Sequence, residues 1–150
     1  MVVEPARTAH RRKQDTLALL EKHPDAWVAT ADEDGNAHMV PLSAYWTGTA
    51  LLFATPVNSP TGRNLAGSGR ARLGLGPTRD VVLIEGRVQV YAPGTVPDEL
   101  AGPFGQAHWD ARGEKTPYAY YLVVPVRIQA WREANEIKGR DLMIDGIWLV

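Results

Sequence analysis

No cysteine occurs anywhere in this sequence, so disulfides, thiolate metal ligands and thiol nucleophiles are all excluded, and nothing ties the chain to an oxidising compartment. An excess of charge of one sign is missing too: 16 Lys+Arg stand against 17 Asp+Glu, so bulk attraction to a polyanion is not expected. No apolar run reaches the roughly eighteen residues of a membrane span, and no hydrophobic leader with a cleavage site is spelled, so the expected location is the cytoplasm. Catalytic signatures are scarce. His10, His23, His38 and His108 are too scattered for a paired-histidine zinc helix, and neither a Gly-x-Ser-x-Gly elbow nor a Gly-x-Gly-x-x-Gly fingerprint is present. A metal site and a self-contained hydrolase are therefore not expected, and no catalytic residue is assigned. His108-Trp109-Asp110 offers an acid beside a base, but neighbours on a loop face different ways, which favours a plain surface role.

What is present is a set of short apolar runs punctuated by turns. The 150 residues suit one domain with one core, and 14 glycines and 11 prolines spread along the chain suit many turns between short strands. A charged stretch over residues 4–22, with Leu17, Leu19 and Leu20 near its end and Pro24 beyond, predicts one amphipathic helix. Its cluster Arg7, Arg11, Arg12 and Lys13 could meet nucleic acid, although a solvated helix face explains it more simply. "AWVATA" and "AHMVPLSA" around "DEDGN" predict a β-hairpin, and "ALLFAT", Ala50 to Thr55, a third strand. Strands are also expected over 71–76 and 81–91. The second of these alternates apolar and polar from Val82, and Gly86 on its buried side marks a bulge, a bend or a close approach. A short helix is expected within 95–111. "YAYYLVVPVRIQAW", Tyr118 to Trp131, is the last long strand, with Pro125 pointing to an edge or a bend, and the tail holds a helical turn, an Asp145-Gly146 turn and a terminal strand. The expected fold is mainly β with flanking helices, a six- to seven-stranded antiparallel barrel.

One segment carries chemistry. After "LLFAT", Asn58 and Ser59 fall where N-cap residues belong, Pro60 suits the first helical position, and Thr61, Arg63 and Asn64 lie in the first turn or so. Free N–H groups at such a helix end, hydroxyls from Ser59 and Thr61, and the Arg63 guanidinium would together suit a phosphate. The alternative is that Ser59 merely caps a structural helix.

"WVATADEDGNAHMVPLSAYW", "LLFATPVNSPTGRNLAGSGRARLGLG" and "DVVLIEGRVQV", in this order, resemble the FMN-binding split-barrel superfamily, that is, the pyridoxamine 5'-phosphate oxidase-like proteins and their actinobacterial flavin- and deazaflavin-dependent relatives. The resemblance covers about Asp25 to Tyr91 and rests chiefly on T-x-x-x-S-x-T-x-x-N-L. It implies a Greek-key-like split β-barrel and assigns the cofactor phosphate to Ser59 and Thr61 with Arg63 and Asn64. It assigns the isoalloxazine to Val40, Pro41, Leu42 and Ser43 with Phe53, Ala54 and Thr55. It further implies a homodimer with the cofactor in a cleft at the interface, so that Trp131, with Arg132 and Arg140, could reach the cofactor from the second subunit; packing is the simpler role for Trp131. The sequence departs from the oxidase pattern in two places. Pro60-Thr61 stands where a lysine or arginine follows the serine, and "HMVPLS" replaces a basic residue on the hairpin strand, so vitamin B6 oxidase activity is not inherited. FMN and the deazaflavin coenzyme F420 both stay open as cofactor; the anionic tail of F420 would suit Arg63, Arg70, Arg72 and Arg79 if they shared a face. The resemblance thus implies an oxidoreductase moving hydride between that cofactor and a small organic substrate. The alternative is a non-catalytic protein that binds or sequesters a flavin, haem or other planar ligand.

Overall fold

The computed structural model describes residues 3–150. The first helix, α1 (Ala9–Glu21), begins at Thr8, whose hydroxyl accepts the Arg11 N–H at 3.1 Å, and not at residue 4. Residues 3–8 leave the helix because the Arg7 N–H and guanidinium are drawn to Glu136 far along the chain, at 2.8 to 3.0 Å. The helix buries Arg12, Thr16 and Leu20, spaced one turn apart on a single face.

Nine strands follow in one antiparallel sheet: β1 (Asp25–Ala31), β2 (Ala37–Ser43), β3 (Tyr45–Trp46), β4 (Leu51–Pro56), β5 (Arg70–Leu75), β6 (Val81–Tyr91), β7 (Tyr118–Trp131), β8 (Asp141–Ile144) and β9 (Ile147–Trp148). The order is β2-β1-β5-β6-β7-β4-β3, with β8 and β9 added at the far end of β7. The sheet curls into a split barrel flanked by α1, α2 (Pro60–Ser68) and α3 (Asp98–Ala107). The count exceeds the expected six or seven because β3 and β9 are two-residue pairings and β8 has four residues, too short for alternation to mark them.

Two apolar clusters lie on either side of the wall made by β4 and β7. Leu51, Phe53, Tyr121 and Val123 face the barrel interior with Val28, Leu73 and Ile84, while Leu52, Ala54 and Tyr120 face outward against Ala101 and Phe104 of α3. Burial on both faces explains why β4 reads as a continuous apolar run instead of alternating. Each large side chain so enclosed contributes about 1.5–3 kcal/mol. Pro125 does not mark an edge, since β7 is central, between β6 and β4. It is tolerated because it stands opposite Gly86, where the β6–β7 register shifts and the ladder is already broken. A Cβ on Gly86 would lie 2.4 Å from Val123 Cγ1 and 2.8 Å from the Val124 carbonyl oxygen, so close approach, as well as the bulge, requires glycine here.

Candidate functional site

The chain leaves β4 and turns directly into α2. Ser59 holds extended backbone as the N-cap, and Pro60 opens the helix. The Ser59 hydroxyl accepts the Gly62 N–H at 3.0 Å and donates to the Pro56 carbonyl at 2.8 Å, with Thr55 Oγ1 at 3.4 Å. It is fully engaged in fixing the turn. Thr61 is enclosed, at 2 % exposure, and its N–H lies in the first turn, where no intrahelical carbonyl can reach it. Arg63 is exposed and lays its guanidinium on the Asn58 carbonyl at 2.5 Å, holding a cation beside the positive end of the helix. Asn64 donates to Thr30 Oγ1 at 3.1 Å and so ties α2 to β1.

Gly62 makes this docking possible. A Cβ there would meet the Pro56 carbonyl oxygen at 2.6 Å and the Tyr121 hydroxyl at 2.8 Å. Burial pushes the Tyr121 phenol pKa up, keeping it neutral against the helix end. Sequence reasoning missed Tyr121, because its place follows from the β4–β7 register, in which Phe53 faces Tyr121. These groups fit an anion through helix polarity, the Thr61 N–H and Arg63, whereas the Ser59 hydroxyl acts by positioning.

The structure divides the other expected site residues. Strand alternation sends Val40 and Leu42 inward, opposite Val28 and Ala26, and turns Pro41 and Ser43 outward, with Ser43 donating to Asp25 at 3.2 Å. Phe53 and Thr55 point into the barrel, and Ala54 points toward α3. Trp131 stands at the far end of β7 from Tyr118, which pairs with Pro56 beside α2. That is roughly 40 Å of strand, so Trp131 joins this site within one chain in no arrangement of its side chain. Its ring instead carries the Arg140 guanidinium, 5.6 Å from the ring centroid.

Acid and base are separated at the expected pair. His108 Nε2 bonds the Ala44 carbonyl at 2.8 Å, and Asp110 holds Arg112 at 2.9 Å, which keeps its carboxyl below the usual range. Most of the cations of the N-terminal cluster turn to the fold. Arg7 pairs with Glu136, Arg11 with Asp15, Arg12 donates to the Gly139 carbonyl, and Lys13 lies over Trp148. Of the four arginines offered for an anionic tail, only Arg70 and Arg72 share a strand face. Arg63 lies on α2 near its opposite end, and Arg79 sits beyond the other end of β5, bonded to Glu133 at 3.1 Å. Arg87, on β6, joins Arg70 and Arg72 instead.

The sequence profile described as "Pyridoxamine 5'-phosphate oxidase" matches residues 13–132 of this chain. Among curated proteins no sequence matches it. Similar solved structures include a Listeria innocua protein assigned to pyridoxamine 5'-phosphate oxidase, with a TM-score of 0.64 and 13% identity over 81% of this chain and 98% of that one. An F420 reductase gives 0.58 and 17% over 74% and 93%. An FMN-binding, pyridoxamine 5'-phosphate oxidase-related protein of Nostoc punctiforme gives 0.53 and 14% over 81% and 80%. At these identities the likeness is one of fold.

Proposed function

Because this chain belongs to the pyridoxamine 5'-phosphate oxidase family across residues 13–132, we propose that it binds a phosphorylated flavin or deazaflavin, FMN or coenzyme F420, and moves hydride between that cofactor and a small organic substrate. The observation that carries this reading is the end of β4 running into a serine-capped, proline-started helix with Arg63 in its first turn. Arg63 and the Thr61 N–H would hold the phosphate, Ser59 and Gly62 would fix the helix end against β4, and Phe53 and Thr55 would line the ring's side of the barrel. The cofactor, when bound, supplies the hydride chemistry, and the chain supplies position and exclusion of water. Vitamin B6 oxidation itself is not part of this reading, since Pro60-Thr61 lacks the basic residue of the oxidase pattern.

A cytoplasmic homodimer completes the proposal. On the outer face of the barrel Trp27 and Met39 are 52 % and 60 % exposed, and Pro41, opposite Trp27, extends the same apolar surface. A patch of this kind suits a second copy, which would also be the only route by which Trp131 could reach the cofactor. A second reading, a protein that only binds or sequesters a planar ligand, is favoured by one observation: His108 and Asp110 are each engaged elsewhere, leaving no acid-base pair at that loop.

Fluorescence titration with FMN and with F420 tests the proposal. Saturable binding of one is expected, and Arg63→Ala should weaken it about tenfold, the loss of one charge-assisted hydrogen bond. Affinity unchanged by Arg63→Ala removes α2 from the phosphate site. Binding without redox turnover by the loaded protein would favour sequestration.

A further inference from the structure

A groove of about 1100 Å3 runs over the outer face of β1, β5 and β6, past the C-terminal end of α2. It is separate from the α2 N-terminus, which lies roughly 13 Å away along the nine-residue helix. Small residues form much of its lining, among them Ala29, Gly69, Ala71 and Gly86, so the backbone is open to a ligand's approach. Arginines stand along it. Arg70 and Arg87 are directly opposed in the β5–β6 register, an arrangement of like charges that is ordinarily unfavourable.

The neighbouring charges do not relieve it. Arg72 is paired with Glu85, its cross-strand partner. Arg127 is paired with Asp141 at 2.9 Å, and Gln129 donates to the same carboxylate. Asp32, on the rim, accepts the Asp34 and Asn36 N–H groups and the Asn36 side-chain amide at 2.9 to 3.0 Å, so its carboxylate is committed to the hairpin turn. Arg70 and Arg87 meet no carboxylate among the described residues. The helix end nearby is closed by its own groups, with Gly69 N–H on the Leu65 carbonyl and Ser68 Oγ on the Asn64 carbonyl.

We propose that Arg70 and Arg87 form a binding site for a compact, multiply charged anion of the phosphate or clustered-carboxylate class, seated in this groove. Two guanidinium forks facing one another across adjacent strands present paired N–H donors, the arrangement that binds such oxyanions in a fixed orientation. Two unneutralised cations suit a small ligand and not a nucleic-acid track, which needs many phosphate contacts. The anion is either a free small molecule or the charged tail of a larger cofactor, and the two sources share this chemistry.

Isothermal titration calorimetry of the full-length protein with sodium pyrophosphate tests the site without any cofactor, so the result stands apart from the fate of the cofactor reading. Saturable binding that weakens with added salt is expected, with Arg70→Gln and Arg87→Gln each costing about tenfold in affinity. Arg112→Gln, on a distant loop, should change nothing. All three positions are solvent-facing, and circular dichroism confirms that the variants fold. Repeating the titration with FMN or F420 present separates the sources: displacement by F420 alone identifies a cofactor tail, and displacement by neither identifies a free anion. No saturable binding by the unaltered protein, or equal weakening by Arg112→Gln, overturns the site. So does a self-association that Arg87→Gln abolishes while pyrophosphate fails to bind, which would give the arginines to a second copy.

Discussion

Beside α1, Arg7 lies among Glu136, Asp15 and Asp80, whereas on the β5–β6 face Arg70 and Arg87 stand opposite one another with no carboxylate beside either. The first arrangement is closed. Arg7 reaches Glu136 through Nε and Nη2 at 3.0 and 2.8 Å, Arg132 adds its backbone N–H to the same carboxylate at 2.8 Å, and Glu136 is only 3 % exposed. The second is open on its solvent side. The comparison teaches that the residue type says little about role. A cation whose donors all end on the protein's own carboxylates serves the fold, and one that ends on nothing is available to a ligand.

The largest effect should come from breaking the closed arrangement. Arg7→Ala leaves the Glu136 carboxylate buried with only backbone N–H partners, and loss of one partner from a buried pair costs about 3–5 kcal/mol. Urea unfolding should show that drop as a lower midpoint. A change under 1 kcal/mol would mean that water replaces the guanidinium, and that the clasp is less closed than its geometry.

Acid should undo the same clasp without mutation. The Arg7 guanidinium and two backbone N–H groups hold the Glu136 carboxyl at about 2 against its ordinary 4.5. A carboxyl lowered in the folded state stabilises the fold above its unfolded value, and that stabilisation drains away as pH falls from 4.5 toward 2. The full effect is on the order of 3 kcal/mol. Thermal unfolding followed from pH 6 to pH 2 should lose stability steeply in this window, and Glu136→Gln should flatten the loss. Arg70 and Arg87 keep their charge throughout and contribute no such step.

These two regions also differ in how far the sequence foretold them. The α2 start was legible because it is local: Asn58-Ser59-Pro60 names its cap and its first position within three residues. The β-hairpin was legible for the same reason, through Asp-Gly-Asn between apolar runs. Glu136 and Arg7 lie 129 residues apart, and nothing local announces the pair. Arg70 opposite Arg87 depends on register, as does Tyr121 against Gly62, and a sequence read alone assigns neither. Pro125 was read as an edge signal because proline lacks a ladder donor. The bulge opposite Gly86 removes that need inside the sheet. Val40 to Ser43 were taken together from resemblance, yet period-two alternation alone divides them between two faces.

A smaller effect concerns the shape under the open arrangement. Gly86→Ala would drive a methyl to 2.4 Å from Val123 Cγ1 and 2.8 Å from a backbone carbonyl. Overpacking of this kind costs about 1–3 kcal/mol. Differential scanning calorimetry should find a lower Tm, and pyrophosphate affinity should fall with it if β6 shifts. An unaltered Tm would show that Val123 turns aside easily and that the bulge tolerates a side chain.

The smallest effect has the opposite sign and sharpens the comparison most. If Arg87 serves a ligand and not the fold, Arg87→Gln relieves the repulsion from Arg70 and should raise stability by about 0.2–1 kcal/mol at low salt, the scale of a cross-strand pair. Because both groups are exposed, salt screens the repulsion, and the gain should shrink toward nothing near 1 M, where the Debye length is about 3 Å. Added pyrophosphate should reverse the order of the two proteins. A ligand that binds only the folded state stabilises it in proportion to the logarithm of its saturation, and only the chain retaining both arginines receives that term. Matched urea titrations with and without pyrophosphate therefore read the sign directly. A loss of stability in Arg87→Gln without ligand would mean that this arginine, like Arg7, belongs to the fold.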